Sequence, residues 1–259
     1  GRWPTTCQLR HRDRSPQSTL MPLFRDRGVV LRTYKLGEAD RILHVCTMEH
    51  GKVRAVAKGV RKTRSKFGAR LEPTSHCALQ FYEGRELDIV TQAETVDHFR
   101  AIREDFDRFA KATAMLEAVD LVLQEGESTP EIYTMLVRAL RALAERDAPL
   151  VAPAFHLKLL AHDGVAPHVD SCVSCGEADE PMVAFDLASG GTVCASCRQG
   201  RPLSPEAHAL LVQILGGQLG SALNEPPSSA THEVAELATR ALEYHLERRL
   251  RAHQALERS

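Results

Sequence analysis

Four cysteines set the tightest limit on how this chain can fold. Cys172-Val-Ser-Cys175 and Cys194-Ala-Ser-Cys197 are two CxxC pairs with eighteen residues between them. That spacing gathers four thiolates into one tetrahedral sphere, as in a zinc ribbon or a pair of zinc knuckles. Gly176 follows the first pair directly, where a turn can aim backbone N–H groups at sulfur, and Arg198 stands in the equivalent place after the second. Four thiolates leave no open coordination position, so one Zn2+ held here is structural and not a Lewis acid. A redox dithiol is the other use of CxxC, but no thioredoxin-like βαβ pattern surrounds either pair. Cys7, Cys46 and Cys77 are scattered. The last two fall in predicted strands and read as buried, inert thiols.

The second constraint is the distribution of charge. The formal net charge of 259 residues is only −1, yet residues 21–70 hold 13 Lys and Arg against 4 Asp and Glu, and residues 1–20 hold 4 against 1. A basic N-terminal part is followed by an acidic body. Within it, His50–Leu71 carries eight cations (Lys52, Arg54, Lys58, Arg61, Lys62, Arg64, Lys66, Arg70) and no carboxylate. Crowding like charges costs folding energy, and a polyanionic partner is the usual reason to retain it. Val53, Ala55 and Ala57 alternate with Lys52, Arg54, Val56 and Lys58, which predicts a strand with one basic face. Gly59–Gly68 has no periodicity and reads as a glycine-bounded basic loop.

Taken in order, residues 1–20 are polar and aperiodic and read as a disordered extension ahead of Met21; Trp3 acquires no role. Residues 21–96 hold five short strand signals: Arg27–Arg32, Arg41–Thr47, Lys52–Lys58, Ser75–Tyr82 and Leu87–Gln92. Five strands with one irregular excursion fit an oligonucleotide-binding (OB) barrel. Residues 97–170 form the first part of a helical domain, with Phe99, Ile102, Phe106, Phe109, Leu116, Val119 and Leu123 on one stripe. A helix capped at Thr129–Pro130 follows, then another over Ala154–His162. Residues 171–200 are the cysteine module. Residues 201–259 complete the helical domain, with a helix capped at Ser204–Pro205 and a long one opened by Thr231, whose basic end (Arg248, Arg249, Arg251) suits the helix dipole. The fold class is α+β and multidomain. An odd cysteine count, no signal-peptide pattern and no apolar run near eighteen residues place the chain in a reducing cytoplasm, away from membranes.

No catalytic constellation emerges. The chain lacks GxxxxGK[ST], Gly-x-Ser-x-Gly and His-Glu-x-x-His, so neither nucleotide-driven nor hydrolytic chemistry has its usual groups. Glu104–Asp105 and Asp105–Asp107 lie beside an apolar helix stripe and read as a solvated face. Cations alone give salt-sensitive, sequence-independent attachment to phosphates. OB barrels add aromatic stacking platforms, for which Tyr34, in the first inter-strand loop, and Phe67, in the basic loop, are the candidates. Two other classes share these features. A nuclease would place clustered carboxylates beside the basic groove, and a zinc-ribbon/OB interaction module would bind RNA or DNA without annealing.

The order of parts resembles the RecO family of bacterial recombination mediators over residues 22–256. The resemblance is carried by GVVLRTYKLGEADRIL (28–43), HGKVRAVAKGVRKTRSKFGARLEP (50–73), CVSCG (172–176), CASC (194–197) and ALEYHLERRL (241–250). It implies a non-enzymatic DNA-binding repair protein that anneals complementary strands. It also implies help in replacing single-strand-binding protein by the RecA recombinase, in partnership with RecR and in some members RecF. On this sequence, Lys35 and Arg41 then flank the first inter-strand loop, and Lys52, Arg54, Lys58, Arg61, Lys62, Arg64, Lys66 and Arg70 become phosphate contacts for single- or double-stranded DNA. Members without the cysteines exist, so the resemblance does not make zinc indispensable.

Overall fold

Alternating residues between Leu23 and Asp97 build five strands, which the computed structural model, describing residues 22–247 and residue 250, closes into a barrel. They are β1 (Leu23–Leu36), β2 (Asp40–Thr47), β3 (Lys52–Ala57), β4 (His76–Tyr82) and β5 (Asp88–Asp97), arranged β1-β2-β3-β5-β4. Neighbours are antiparallel except β3 and β5. This is the predicted OB-like closure. β1 outgrows its predicted core because it serves two partners. Leu23–Val29 pair with β4, Gly28–Leu36 pair with β2, and a register shift between Val30 and Arg32 bends the strand between them. Gly28 stands where the two pairings overlap, and a Cβ there would lie 2.5 Å from Val45 Cγ1. In β3, Val53, Ala55 and Ala57 point into the barrel as their alternation predicts.

The helical body begins with α1 (Arg100–Glu104) and α2 (Phe106–Val122), followed by α3 (Pro130–Glu145) and α4 (Val151–His162). The single helix predicted from Phe99 to Leu123 is thus divided. Asp105 leaves helical geometry and caps α2, its Oδ1 accepting from the Arg108 N–H at 2.9 Å. The new phase turns Phe106 and Phe109 outward, 70% and 40% exposed, where the stripe predicted them buried. Thr129 precedes α3 without a side-chain capping bond, so the start is set by Pro130 at the first turn. α4 starts three residues before the predicted Ala154, at Val151.

Between α4 and α5 (Pro205–Leu215) sits a three-stranded sheet of β6 (Met182–Asp186), β7 (Gly191–Cys194) and β8 (Arg201–Pro202), in the order β7-β6-β8. It is tied back to the body at its exit. Ser204 caps α5, and its N–H and hydroxyl both donate to the Glu233 carboxylate, at 2.8 and 2.7 Å. A short α6 (Leu219–Ala222), not foreseen, precedes α7 (Ser229–Leu246). α7 opens at Ser228 in a reciprocal capping box with Thr231, so Thr231 is the third helical residue and not the cap. Trp3, Cys7 and the rest of residues 1–20, and the arginines Arg248, Arg249 and Arg251, lie outside the described residues. Among the described residues no helix is long and apolar enough to cross a membrane.

Barrel and body meet along a close joint. The β2–β3 hairpin turns at Gly51 (φ +66°), and a Cβ there would fall 1.7 Å from the Glu127 carbonyl oxygen. Beside it, buried His76 bonds through Nε2 to the Tyr133 hydroxyl at 2.7 Å and stacks on Phe99. Burial, reinforced by nearby Arg141 and opposed by Asp97, pulls the His76 imidazole down to about 4. A histidine depressed in the native state stays neutral while the unfolded chain protonates. Stability from this group therefore falls as pH drops from about 6.5 towards about 4. In urea melts across that window, H76Q is expected to show a shallower loss of stability than the parent; an identical pH profile would contradict the assignment.

Candidate nucleic-acid interface and metal centre

The basic loop after β3 is anchored at both ends. Phe67 and Leu71, four residues apart, insert into the barrel core and are 2% and 1% exposed. Phe67, expected from sequence as an exposed ring for base stacking, is thus buried instead. Its ring seals the barrel, and the Lys66 ammonium lies 4.9 Å from its centroid. Backbone and side chains pin the rest. The Gly59 N–H donates to Asp40 (2.7 Å), the Arg61 N–H to Ala39 O (2.9 Å), the Arg61 guanidinium to Gly37 O (3.2 Å), and Lys66 Nζ to Thr91 O (2.9 Å). A short 3-10 turn, Gly68–Leu71, closes the loop.

Fixing the apolar pair inward forces the charges outward. Lys58, Arg61, Lys62, Arg64, Lys66 and Arg70 are all exposed, as is Lys35 on the neighbouring β1–β2 end. Among the described residues none of these seven is matched by a carboxylate within salt-bridge distance. Arg41, opposite Lys35 in the ladder, donates through one nitrogen to both Glu72 oxygens at 2.7 and 2.8 Å.

The strand cations behave differently. Lys52 Nζ sits 2.9 Å from Asp120 Oδ1 and donates to the Asp120 carbonyl, its side chain only 11% exposed. His44 Nδ1 lies 2.7 Å from the same carboxylate, and Arg32 reaches both Asp120 (3.5 Å) and Glu117 (3.6 Å). Burial by itself would raise the Asp120 carboxyl, but the His44 and Lys52 bonds outweigh it and hold it at about 2. Arg54 pairs with Glu125 at 3.1 Å. So the outward face of β1–β3 is turned to α2 and the segment behind it, and Lys52 is committed to the joint. Tyr34 remains 42% exposed, its hydroxyl accepting from Arg32 and its ring 5.2 Å from His44. Tyr34, read from sequence as a loop residue, lies in β1 two residues after Arg32, which the sequence reading does not single out. Of the carboxylates considered for metal chemistry, Glu104 pairs with Arg100 and Asp105 caps α2.

The four cysteines converge as their spacing predicts. The sulfurs of Cys172, Cys175, Cys194 and Cys197 all lie within 4.8 Å of one another. Cys175 Sγ and Cys194 Sγ are 3.8 Å apart. A tetrahedron with metal–sulfur bonds of about 2.3 Å has edges of about 3.8 Å, so the donor set fits a bound ion. The first knuckle turns through Gly176 (φ +80°), whose N–H donates to Cys172 O at 2.8 Å. N–H groups of Cys194, Cys175 and Ser174 aimed at Cys172 sulfur lower that thiol to about 6, while the Cys175 side chain pushes Cys197 up to about 12. Burial pushes the lone thiols Cys46 and Cys77 up to about 12 and about 11, the inert state expected of them.

Comparison with known families gives two matches that together span most of the chain. Residues 21–99 match the family described as Recombination protein O N terminal, and residues 103–254 match Recombination protein O C terminal. The boundary between them falls at the start of α1.

Because Phe67 is core, F67A is expected to destabilise the barrel by about 3–5 kcal/mol, read by thermal or denaturant melts. A stable variant with weakened DNA binding would instead restore Phe67 as a stacking residue.

Proposed function

The chain belongs to the recombination protein O (RecO) family of DNA recombination and repair proteins, and from that premise we propose that it is a mediator that pairs strands without chemistry of its own. Single strands of DNA gather on the cationic mouth of the barrel, where complementary ones are annealed. The observation that carries this reading is the set of six exposed cations, Lys58, Arg61, Lys62, Arg64, Lys66 and Arg70, held outward by one anchored loop and unmatched by carboxylates among the described residues. Lys35 extends the patch, Arg41 joins it when phosphate competes with Glu72, and Tyr34 offers a ring at its edge. Neutralising two strands on one surface lowers their mutual repulsion and raises their local concentration, so pairing needs no nucleotide. Duplex DNA presents the same phosphates and is held by the same groups.

Partners meet the helical body. The groove between α3, α4 and α6, about 660 Å³ in volume, is lined by Met135, Val151, Phe155 and Leu219, with Arg138 and Lys158 at its rim. That chemistry suits an apolar, acidic segment such as a tail of single-strand-binding protein. Working with RecR, and in some settings RecF, the protein then helps load RecA on the strand. The cysteine module holds one Zn2+ as a structural staple at the exit to α5.

Two measurements test this. K62E/R64E/K66E should lower affinity for an oligonucleotide at least tenfold. It should also reduce the slope of log K against log salt by roughly 2, since each phosphate no longer neutralised on a single strand removes about 0.7. Annealing of complementary labelled strands should fall with it. Unchanged affinity and slope would remove the loop from the interface. For the metal, elemental analysis should find one zinc per chain. C175S should lose it and lower the melting temperature, with DNA affinity at the barrel retained; full stability of a metal-free protein would contradict the staple.

A further inference from the structure

The outer face of β1, β4 and β5 carries a polar hollow. On β1, Leu23, Arg25 and Arg27 point outward, and the register sets Arg25 opposite Gln80 and Gln80 opposite Gln92. Three planar hydrogen-bonding groups therefore lie in one row across β1, β4 and β5. Arg25 Nε donates to Gln80 Oε1 at 3.0 Å, which fixes the guanidinium beside the amide. In the next row Ala78 stands between Arg27 and Glu94, and its short side chain leaves a depression. Met48 and Glu49 of the β2–β3 hairpin wall it, and the hollow measures about 500 Å³.

Its position relative to the loop is set by one bond. Lys66 Nζ donates to Thr91 O, the residue before Gln92, at 2.9 Å. A strand whose phosphates rest on Lys62, Arg64 and Lys66 thus passes the rim of the hollow. Glu49 and Glu94 line it too, so phosphates are repelled and only the base edges of such a strand are favoured there. Amide groups offer both a donor and an acceptor and turn to suit, and a guanidinium offers paired donors. Each base edge finds a partner, without demanding one sequence.

We propose that the Arg25–Gln80–Gln92 row is a base-binding subsite for single-stranded nucleic acid, engaging unpaired Watson–Crick edges beside the phosphate-binding loop. The proposal rests on the reading of that loop as a phosphate surface. It supplies the base contact that Phe67, sunk in the barrel core, does not. It also gives a reason for release after annealing: paired bases no longer present those edges, so the duplex keeps only the phosphate contacts.

The test compares two oligonucleotides of equal length, one with bases and one entirely abasic, on the full chain and on Q80M/Q92M. These substitutions keep side-chain volume on a half-exposed face, and a melting curve checks that the fold is intact. The parent is expected to bind the base-bearing strand roughly fivefold or more tightly than the abasic one, the scale of one to two ordinary hydrogen bonds. In the variant that ratio should fall to near one, with the salt slope unchanged. A parent that binds both strands equally, or a variant that keeps the preference, overturns the subsite while leaving the loop in place. A parent that binds neither strand at low salt overturns the loop reading itself, and the subsite with it.

Discussion

One buried carboxylate organises the relation between the two halves of this molecule. Asp120, near the end of α2, accepts from His44 and Lys52 and lies within reach of Arg32, which also meets Glu117. Taking such charges out of water is costly, and a buried ion network adds little net stability over an apolar contact of the same shape. Its effect is on orientation. Three basic side chains from three adjacent strands, Arg32, His44 and Lys52, share one acceptor, and only one docking of barrel on body satisfies them all. Gly51 beside Glu127, and His76 between Phe99 and Tyr133, enforce the same register by sterics.

That docking separates the cations of the joint from those proposed to meet DNA. The face of β1–β3, where the sequence reading marks Lys52 and Arg54 as phosphate contacts, looks like the natural cationic platform. In the folded chain it meets the carboxylates of Glu117, Asp120 and Glu125 instead. The loop from Lys58 to Arg70 is what remains for a polyanion. It holds its charges outward because two apolar side chains, Phe67 and Leu71, hold its base inward. Surface charges of this kind act through screening-dependent attraction, whereas Lys52, nearly buried against Asp120, is committed to the joint.

Much of this was legible in the residues, and the reasons it was or was not are physical. The strands of the barrel show because a period of two survives in β3 and β4, where one face is buried. The cysteine cluster shows because metal geometry acts through spacing along the chain. The acidic joint was invisible because its partners are far apart in sequence: His44 and Asp120 are separated by 76 residues, and nothing local marks them as a pair. Phe67 was misread for a related reason. An aromatic inside a run of cations looks like a ligand platform, and only its i, i+4 relation to Leu71 hints that the two form a plug. Phe106 and Phe109 fit a helical stripe, but Asp105 resets the phase. The row of Arg25, Gln80 and Gln92 exists only once three strands are in register.

The most direct test of this division between committed and available cations is lysine acetylation footprinting by mass spectrometry, with and without a saturating single strand at low salt. Lys58, Lys62 and Lys66 should react readily in the free protein and become protected when DNA is bound. Lys52, held against Asp120, should react poorly in both states. Protection of Lys52 from an initially reactive state, or loop lysines whose reactivity DNA does not change, would contradict the account.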